Sequence, residues 1–119
     1  MKYLFLLTLF CLSFAAPASA DVSQLQLCTV KYAKVVIPIA EKHSSFDKNR
    51  HCTVSCMLSL LCSDAEVLLA GAAKEFLDLL GAGQAERADM AANKYGVDLV
   101  RFDRALLVPE CLNQCDLRY

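Results

Sequence analysis

The sequence predicts an all-α fold, an irregular bundle of five or six short helices stapled by up to three disulfides. Three observations lead there. No segment sustains the period-two alternation of a half-buried strand, although Val35-Val36-Ile37 alone is compatible with extended chain. Gly and Pro are scarce, at 4 and 3 of 119 residues, so few breaks interrupt the helical periodicity. Six cysteines remain once the apolar leader is set aside, an even number in a short chain with an export signal.

The leader is the first element. Lys2 is followed by an apolar run from Leu4 to Ala16; Pro17 breaks it, and Ala18-Ser19-Ala20 supplies the small-x-small pattern of a signal-peptidase site. The run is shorter than the roughly 20 apolar residues of a permanent membrane helix. Lys, Glu or Asp interrupts every later apolar stretch. Cys11 is a poor lipidation site, because Phe10 precedes it and more apolar chain follows. The expectation is therefore a cleaved signal peptide over residues 1–20, then one periplasmic or secreted domain over 21–119 with no stable transmembrane segment. With Lys2 removed from 12 basic against 13 acidic residues, the formal net charge moves from −1 to −2. That balance argues against nucleic acid or an anionic membrane surface as partner. Nothing in the composition calls for a cofactor.

Val22 to Lys42 is compatible with helix, with Pro38 expected to kink or end it. His43-Ser44-Ser45-Phe46 reads as a solvated connection. Asp47 is a fair N-cap for a helix to about Cys62. Ser63-Asp64-Ala65-Glu66 has the form of a capping box and opens an apolar helix to about Leu80, which Gly81-Ala82-Gly83 ends. Gln84 to Tyr95 reads as a fourth helix with Gly96 as left-handed terminator. Val97 to Val108 has room for one more short helix, with Arg101, Asp103 and Arg104 as a charged surface. Pro109 sits in the first turn of a last helix running through Glu110 to Leu117.

Two cysteine pairs, Cys52/Cys56 and Cys111/Cys115, share a spacing that puts both members on one helix face. Two such faces packed antiparallel are joined most simply by rungs Cys52–Cys115 and Cys56–Cys111, leaving Cys28–Cys62. Six cysteines allow 15 pairings, so this is a geometric preference. A zinc site is disfavoured, since it prefers tighter pairs with His nearby.

Polar residues interrupt three consecutive helices in register. His51 and Ser55 lie at i and i+4 in the second. Gly71, Glu75 and Asp78 share one side of the third, and Asp89, Asn93 and Gly96 one side of the fourth. Glycines there permit close backbone approach. If the faces converge, they build a polar pocket inside the bundle. His51 is a candidate general base or metal ligand, or else a hydrogen-bonded core histidine. Glu75 and Asp78 are candidates for acid–base work or cation binding. Their plainer role is an ion pair, with Arg87 or Lys94 as reachable cations and Lys74 pointing elsewhere. Asp89 and Asn93 complete a metal site or orient His51, or else Asp89 is solvated and Asn93 ties helices together. Ser55 lacks the elbow of a nucleophile.

The series Asp47-Lys48-x-x-His51-x-x-x-Ser55, Lys74-Glu75-x-x-Asp78, Asp89-x-x-Ala92-Asn93-x-x-Gly96 resembles that of the YfiM-like family of bacterial envelope proteins. It is similar, more distantly, to VanZ-like membrane proteins and to C-terminal regions of some polymorphic toxins. The resemblance spans about residues 47–98. It implies a bacterial envelope setting and a shared polar core; it brings no defined activity. The lipid anchor of YfiM-like members and the membrane spans of VanZ-like ones have no counterpart here, and the cysteine framework is not part of either pattern.

Three functions follow as expectations. The first is an exported envelope accessory or binding protein, its partner an unknown envelope component. The second is a small hydrolase or metal-assisted enzyme, or toxin-like effector, using His51, Glu75, Asp78, Asp89 and Asn93. The third is an inhibitor or immunity protein.

Overall fold

The computed structural model describes residues 27–81 and 86–119. Five helices follow one another: α1 (Cys28–His43), α2 (Asp47–Ser59), α3 (Asp64–Leu80), α4 (Arg87–Arg101) and α5 (Val108–Arg118). The described residues contain no strand, and none of their helices is long and apolar enough to cross a membrane. Residues 1–26, which hold the expected leader and the expected start of the first helix, and residues 82–85 of the expected helix stop and fourth-helix start lie outside the described residues.

The centre is α2, which packs on all four other helices and most extensively on α4. It is short and polar, yet Cys52, Thr53, Cys56 and Met57 are all buried to within 1 %. Covalent rungs hold it there. Cys52 bonds Cys115 and Cys56 bonds Cys111, joining α2 to α5. Cys28–Cys62 ties the start of α1 to the turn after α2. All three pairs are those favoured by helix geometry. Val36, Ala40, Leu58, Val67, Ala92, Val97, Leu99 and Ala105 complete the core. A framework of three disulfides fits an oxidising compartment.

Several boundaries differ from the sequence reading. Pro38 does not end α1; it is exposed inside the helix, so water can solvate the carbonyl it leaves unpaired. Val35-Val36-Ile37 is helical. Asp47 is the first residue of α2, with Phe46 in the cap position, and α2 ends at Ser59, before Cys62. Ser63 does cap α3, accepting from the Glu66 N–H at 3.4 Å. The Glu66 carboxylate instead accepts from the N–H and Oγ1 of Thr29, at 2.8 and 3.1 Å, and caps the first turn of α1.

Gly96 does not terminate the fourth helix. It lies inside α4, and no glycine among the described residues has positive φ. A Cβ there would stand 2.2 Å from the Cys52 carbonyl oxygen and 2.9 Å from the Cys56 nitrogen. Its missing side chain is what lets α4 lie against the α2 backbone. Residues 102–107 form no further helix. Asp103 takes φ 54°, and the N–H groups of Arg104 and Ala105 both close on the Leu99 carbonyl. The Arg104 and Arg118 guanidinium groups each lie 5.5 Å from the Tyr95 ring.

His43 is not a loop residue. It ends α1, and its Nε2 lies 2.8 Å from Asp116 Oδ2, while Asn49 Nδ2 donates to Asp116 Oδ1 at 2.7 Å. The carboxylate thus joins α1, α2 and α5. Burial opposes its ionisation, but the Asn49 bond, the His43 bond and the His43 charge outweigh it, so its pKa falls below the ordinary value. A lowered carboxylate pKa contributes stability above the unfolded value, about 3.9, and loses it as pH falls through the folded value. In urea unfolding, wild type should exceed Asp116→Asn in stability at pH 6, with the gap closing as pH falls below about 3.9. A gap independent of pH would refute the assignment.

Candidate active site

On α2, Asp47, His51 and Ser55 recur every four residues and form one face. The α4 face with Asp89 and Asn93 packs against it, and Glu75 enters from α3. His51 Nδ1 lies 3.0 Å from Asn93 Oδ1, and Ser55 Oγ donates to the same oxygen at 3.1 Å. A carbonyl oxygen only accepts, so Nδ1 carries a proton and Nε2 is the ring nitrogen left to face the acids. The Asn93 amide packs against Gly71, where a Cβ would stand 2.7 Å from Asn93 Nδ2, a buried atom with no hydrogen-bond partner.

Nε2 faces three carboxylates. It lies 3.8 Å from Asp47 Oδ2, 3.8 Å from Asp89 Oδ2 and 3.9 Å from Glu75 Oε1. Each distance is too long for a hydrogen bond. Single donor atoms of Asp47, His51 and Asp89 all lie within 4.8 Å of one another. The result is a small hollow ringed by electron-pair donors. Glu75 and Asp89 are only 7 % and 2 % exposed, yet Glu75 Oε1 and Asp89 Oδ1 have no hydrogen-bond partner. Each orphaned buried atom costs about 1–3 kcal/mol, more for a charged group. Glu75 Oε2 is satisfied, accepting from the Glu86 N–H at 3.2 Å.

Two lysines flank the cluster without entering hydrogen-bond range. Lys48 Nζ lies 3.6 Å from Asp89 Oδ1 and bonds Glu86; Lys74 Nζ lies 3.6 Å from Glu75 Oε1. Burial raises the Asp89 pKa, as do the Asp47 and Glu75 charges, against the lowering effect of His51 and Lys48. A raised carboxylate pKa gives no penalty below the unfolded value and its full penalty above the folded one. At neutral pH, a bound cation would relieve that penalty.

The structure therefore brings together His51, Glu75, Asp89 and Asn93, and Asp47 joins them. The sequence reading cast Asp47 as a cap; its place four residues before His51 was the available signal. Asp78 is not brought to the cluster. It pairs at 2.6 Å with Lys74, which contacts both Glu75 and Asp78 rather than pointing elsewhere. Lys94 instead pairs with Asp98.

A cavity of about 460 Å³ lies between α1, α2 and α3, and neither Glu75 nor Asp89 lines it. His51, Ser55 and Asn93 line it together with Asp47, Arg50, Lys74 and apolar residues of three helices. An imidazole whose Nε2 faces carboxylates, beside a cavity, would suit a divalent cation and a water once Nε2 gives up any proton. Comparison with known proteins adds no relative: no family model, curated protein or solved structure matches the chain.

Proposed function

We propose that the protein is a small metal-assisted hydrolase, exported through its leader to the periplasm or beyond. Asp47, His51 and Asp89 are its cation ligands. The observation that carries this reading is the pair of buried carboxylates beside His51, Glu75 and Asp89, each with one oxygen that has no hydrogen-bond partner. One imidazole with carboxylates suits Zn²⁺ or Mn²⁺ better than an all-oxygen cation such as Ca²⁺. Three protein ligands leave a position for water, whose pKa a bound cation lowers toward neutrality. Asn93 is a positioning residue, fixing the ring tautomer as an outer partner of a ligating His. With a cation and its water bound, Glu75 Oε1 would be the base, taking the water's proton as its oxygen bonds an electrophilic carbon or phosphorus and returning it to the leaving oxygen as the old bond breaks. The polar series that resembles the YfiM-like one supplies every one of these residues, which supports the envelope setting.

Calorimetric titration of the disulfide-intact protein with Zn²⁺ and Mn²⁺ tests the ligand set. Wild type should bind one equivalent. At a free cation concentration 100 times Kd, stability should rise by about 2.7 kcal/mol. His51→Ala and Asp89→Asn should each lose at least tenfold in affinity, whereas Glu75→Gln should bind within a few-fold of wild type and lose hydrolysis. Wild type that takes up neither cation would overturn the assignment. A second reading, a binding protein without chemistry, draws on the cavity itself. It gains if cation binds and Glu75→Gln leaves turnover of every tested ester unchanged from buffer and from wild type alike.

A further inference from the structure

One side of the cavity is closed by α1 alone. Thr29, Ala33, Ile37 and Ala40 fall on one face of that helix, at spacings of four and three, and line the cavity from there. Of the 16 residues of α1, only Thr29, Val36 and Ala40 are buried. A helix that spans a cavity buries little apolar surface, so its local stability depends on its attachments. These are concentrated at its two ends. At the start, Cys28 is bonded to Cys62, and Thr29 donates its N–H and Oγ1 to the Glu66 carboxylate. At the far end His43 pairs with Asp116.

The three disulfides differ in access. Cys52, Cys56, Cys111 and Cys115 are 0 % exposed, whereas Cys28 and Cys62 are both partly exposed. A thiolate must reach a sulfur atom to break a disulfide, so access decides which bond a dissolved thiol attacks. The rungs become available only when the fold opens; Cys28–Cys62 is available in the folded protein. We propose that Cys28–Cys62 is a redox latch. A dithiol reduces it in the folded protein, frees the start of α1 and loosens that wall of the cavity, while the two rungs keep α2 on α5. Cys28 is the only cysteine of α1, and both rung loops begin on α2, so no other disulfide holds α1 once the latch is open.

The exchange is balanced by the dithiol. One of its thiolates bonds a latch sulfur, the S–S bond breaks, and the departing sulfur leaves as a thiolate and takes a proton. The second thiolate of the dithiol then displaces the captured sulfur from the mixed disulfide. Two electrons and two protons pass to Cys28 and Cys62, and the dithiol closes into its own disulfide. The Leu61 carbonyl oxygen lies 3.4 Å from Cys28 Sγ, placed to accept from the thiol that forms there.

Dithiothreitol is the probe, added to the disulfide-intact protein at neutral pH without denaturant. Iodoacetamide quenches the reaction, peptide mass spectrometry maps the alkylated cysteines, and amide hydrogen exchange is followed in parallel. Cys28 and Cys62 should be alkylated about tenfold or more faster than the four rung cysteines. In protein reduced only at the latch, α1 amides should exchange on the order of a hundredfold faster, the advantage that loop closure gives a segment of this length. Amides of α2 and α4 should keep their rates. Cys28→Ser/Cys62→Ser should fold, show the fast α1 exchange without dithiothreitol and change no further when it is added. Rung cysteines modified in step with Cys28 and Cys62, α1 exchange indifferent to reduction, or a double variant that does not fold would each overturn the latch. None of these measurements involves the cation site, so the latch stands or falls apart from the hydrolytic reading.

Discussion

Gly96→Ala should unfold the protein or nearly so, although the same change in an exposed helix stabilises by up to about 1 kcal/mol. The added Cβ would stand 2.2 Å from the Cys52 carbonyl oxygen, 3.1 Å from the Cys52 carbonyl carbon and 2.9 Å from the Cys56 nitrogen. All three are backbone atoms, so no rotamer change relieves the clash. Nor can α2 slide away, because the residues it would carry are bonded to Cys115 and Cys111 on α5. Overpacking into flexible side chains costs about 1–3 kcal/mol, and a rigid backbone contact belongs at or above the upper limit. With about 4–8 °C lost per kcal/mol in a domain this small, the melting midpoint should fall by more than about 12 °C. Thermal circular dichroism reads it directly; a midpoint equal to wild type would mean that α2 and α4 do not meet at Gly96. His51 immediately precedes Cys52, so any folded fraction should also bind cation more weakly.

That glycine shows where sequence reading reaches its limit. Tyr95-Gly96 after a run of helix-forming residues has the local chemistry of a helix stop, and only the approach of α2 converts it into a contact inside α4. The cysteine rungs were legible because a four-residue spacing on each of two helices leaves little geometric freedom. The convergence of His51, Glu75, Asp89 and Asn93 was legible for a related reason: polar residues at helical spacing within apolar helices have few low-energy destinations except one another. Asp47 was harder, since an acid at a helix start is expected whether it caps, complements the helix dipole or binds a cation. Asp78 shows the reverse failure. One turn from Glu75, it shares a helix side, yet Lys74 claims it at 2.6 Å, and the few ångströms that separate a pocket from its rim are set by packing rather than periodicity. Glu66 was legible as half of a capping box, but the Thr29 amide it caps instead lies 37 residues away.

Removing both rungs between α2 and α5 should cost more than twice the loss of either. With neither present, closing Cys52–Cys115 restricts a loop of 63 residues, worth about 4 kcal/mol of unfolded-state entropy. Once that rung exists, closing Cys56–Cys111 completes only a small ring, the two helix turns between the rungs. On the same scale a ring of roughly ten residues is worth about 2.7 kcal/mol. Either single rung can therefore be lost for about 2–3 kcal/mol, because the survivor still closes the long loop. Loss of both costs about 7 kcal/mol, comparable to the whole stability of a typical domain. Cys52→Ser/Cys115→Ser and Cys56→Ser/Cys111→Ser should thus each fold and melt lower, while the quadruple variant should be unfolded at 25 °C. Equal, additive decrements across the series would show that the rungs act on the native state rather than through chain entropy. The site distinguishes the two single-rung variants further. Cys52 is adjacent to His51, so its rung holds the backbone that aims Nε2 at Asp47, Asp89 and Glu75. Cation affinity should therefore fall more in Cys52→Ser/Cys115→Ser than in Cys56→Ser/Cys111→Ser at equal stability. The disulfides would then set the geometry of the metal centre as well as the survival of the fold.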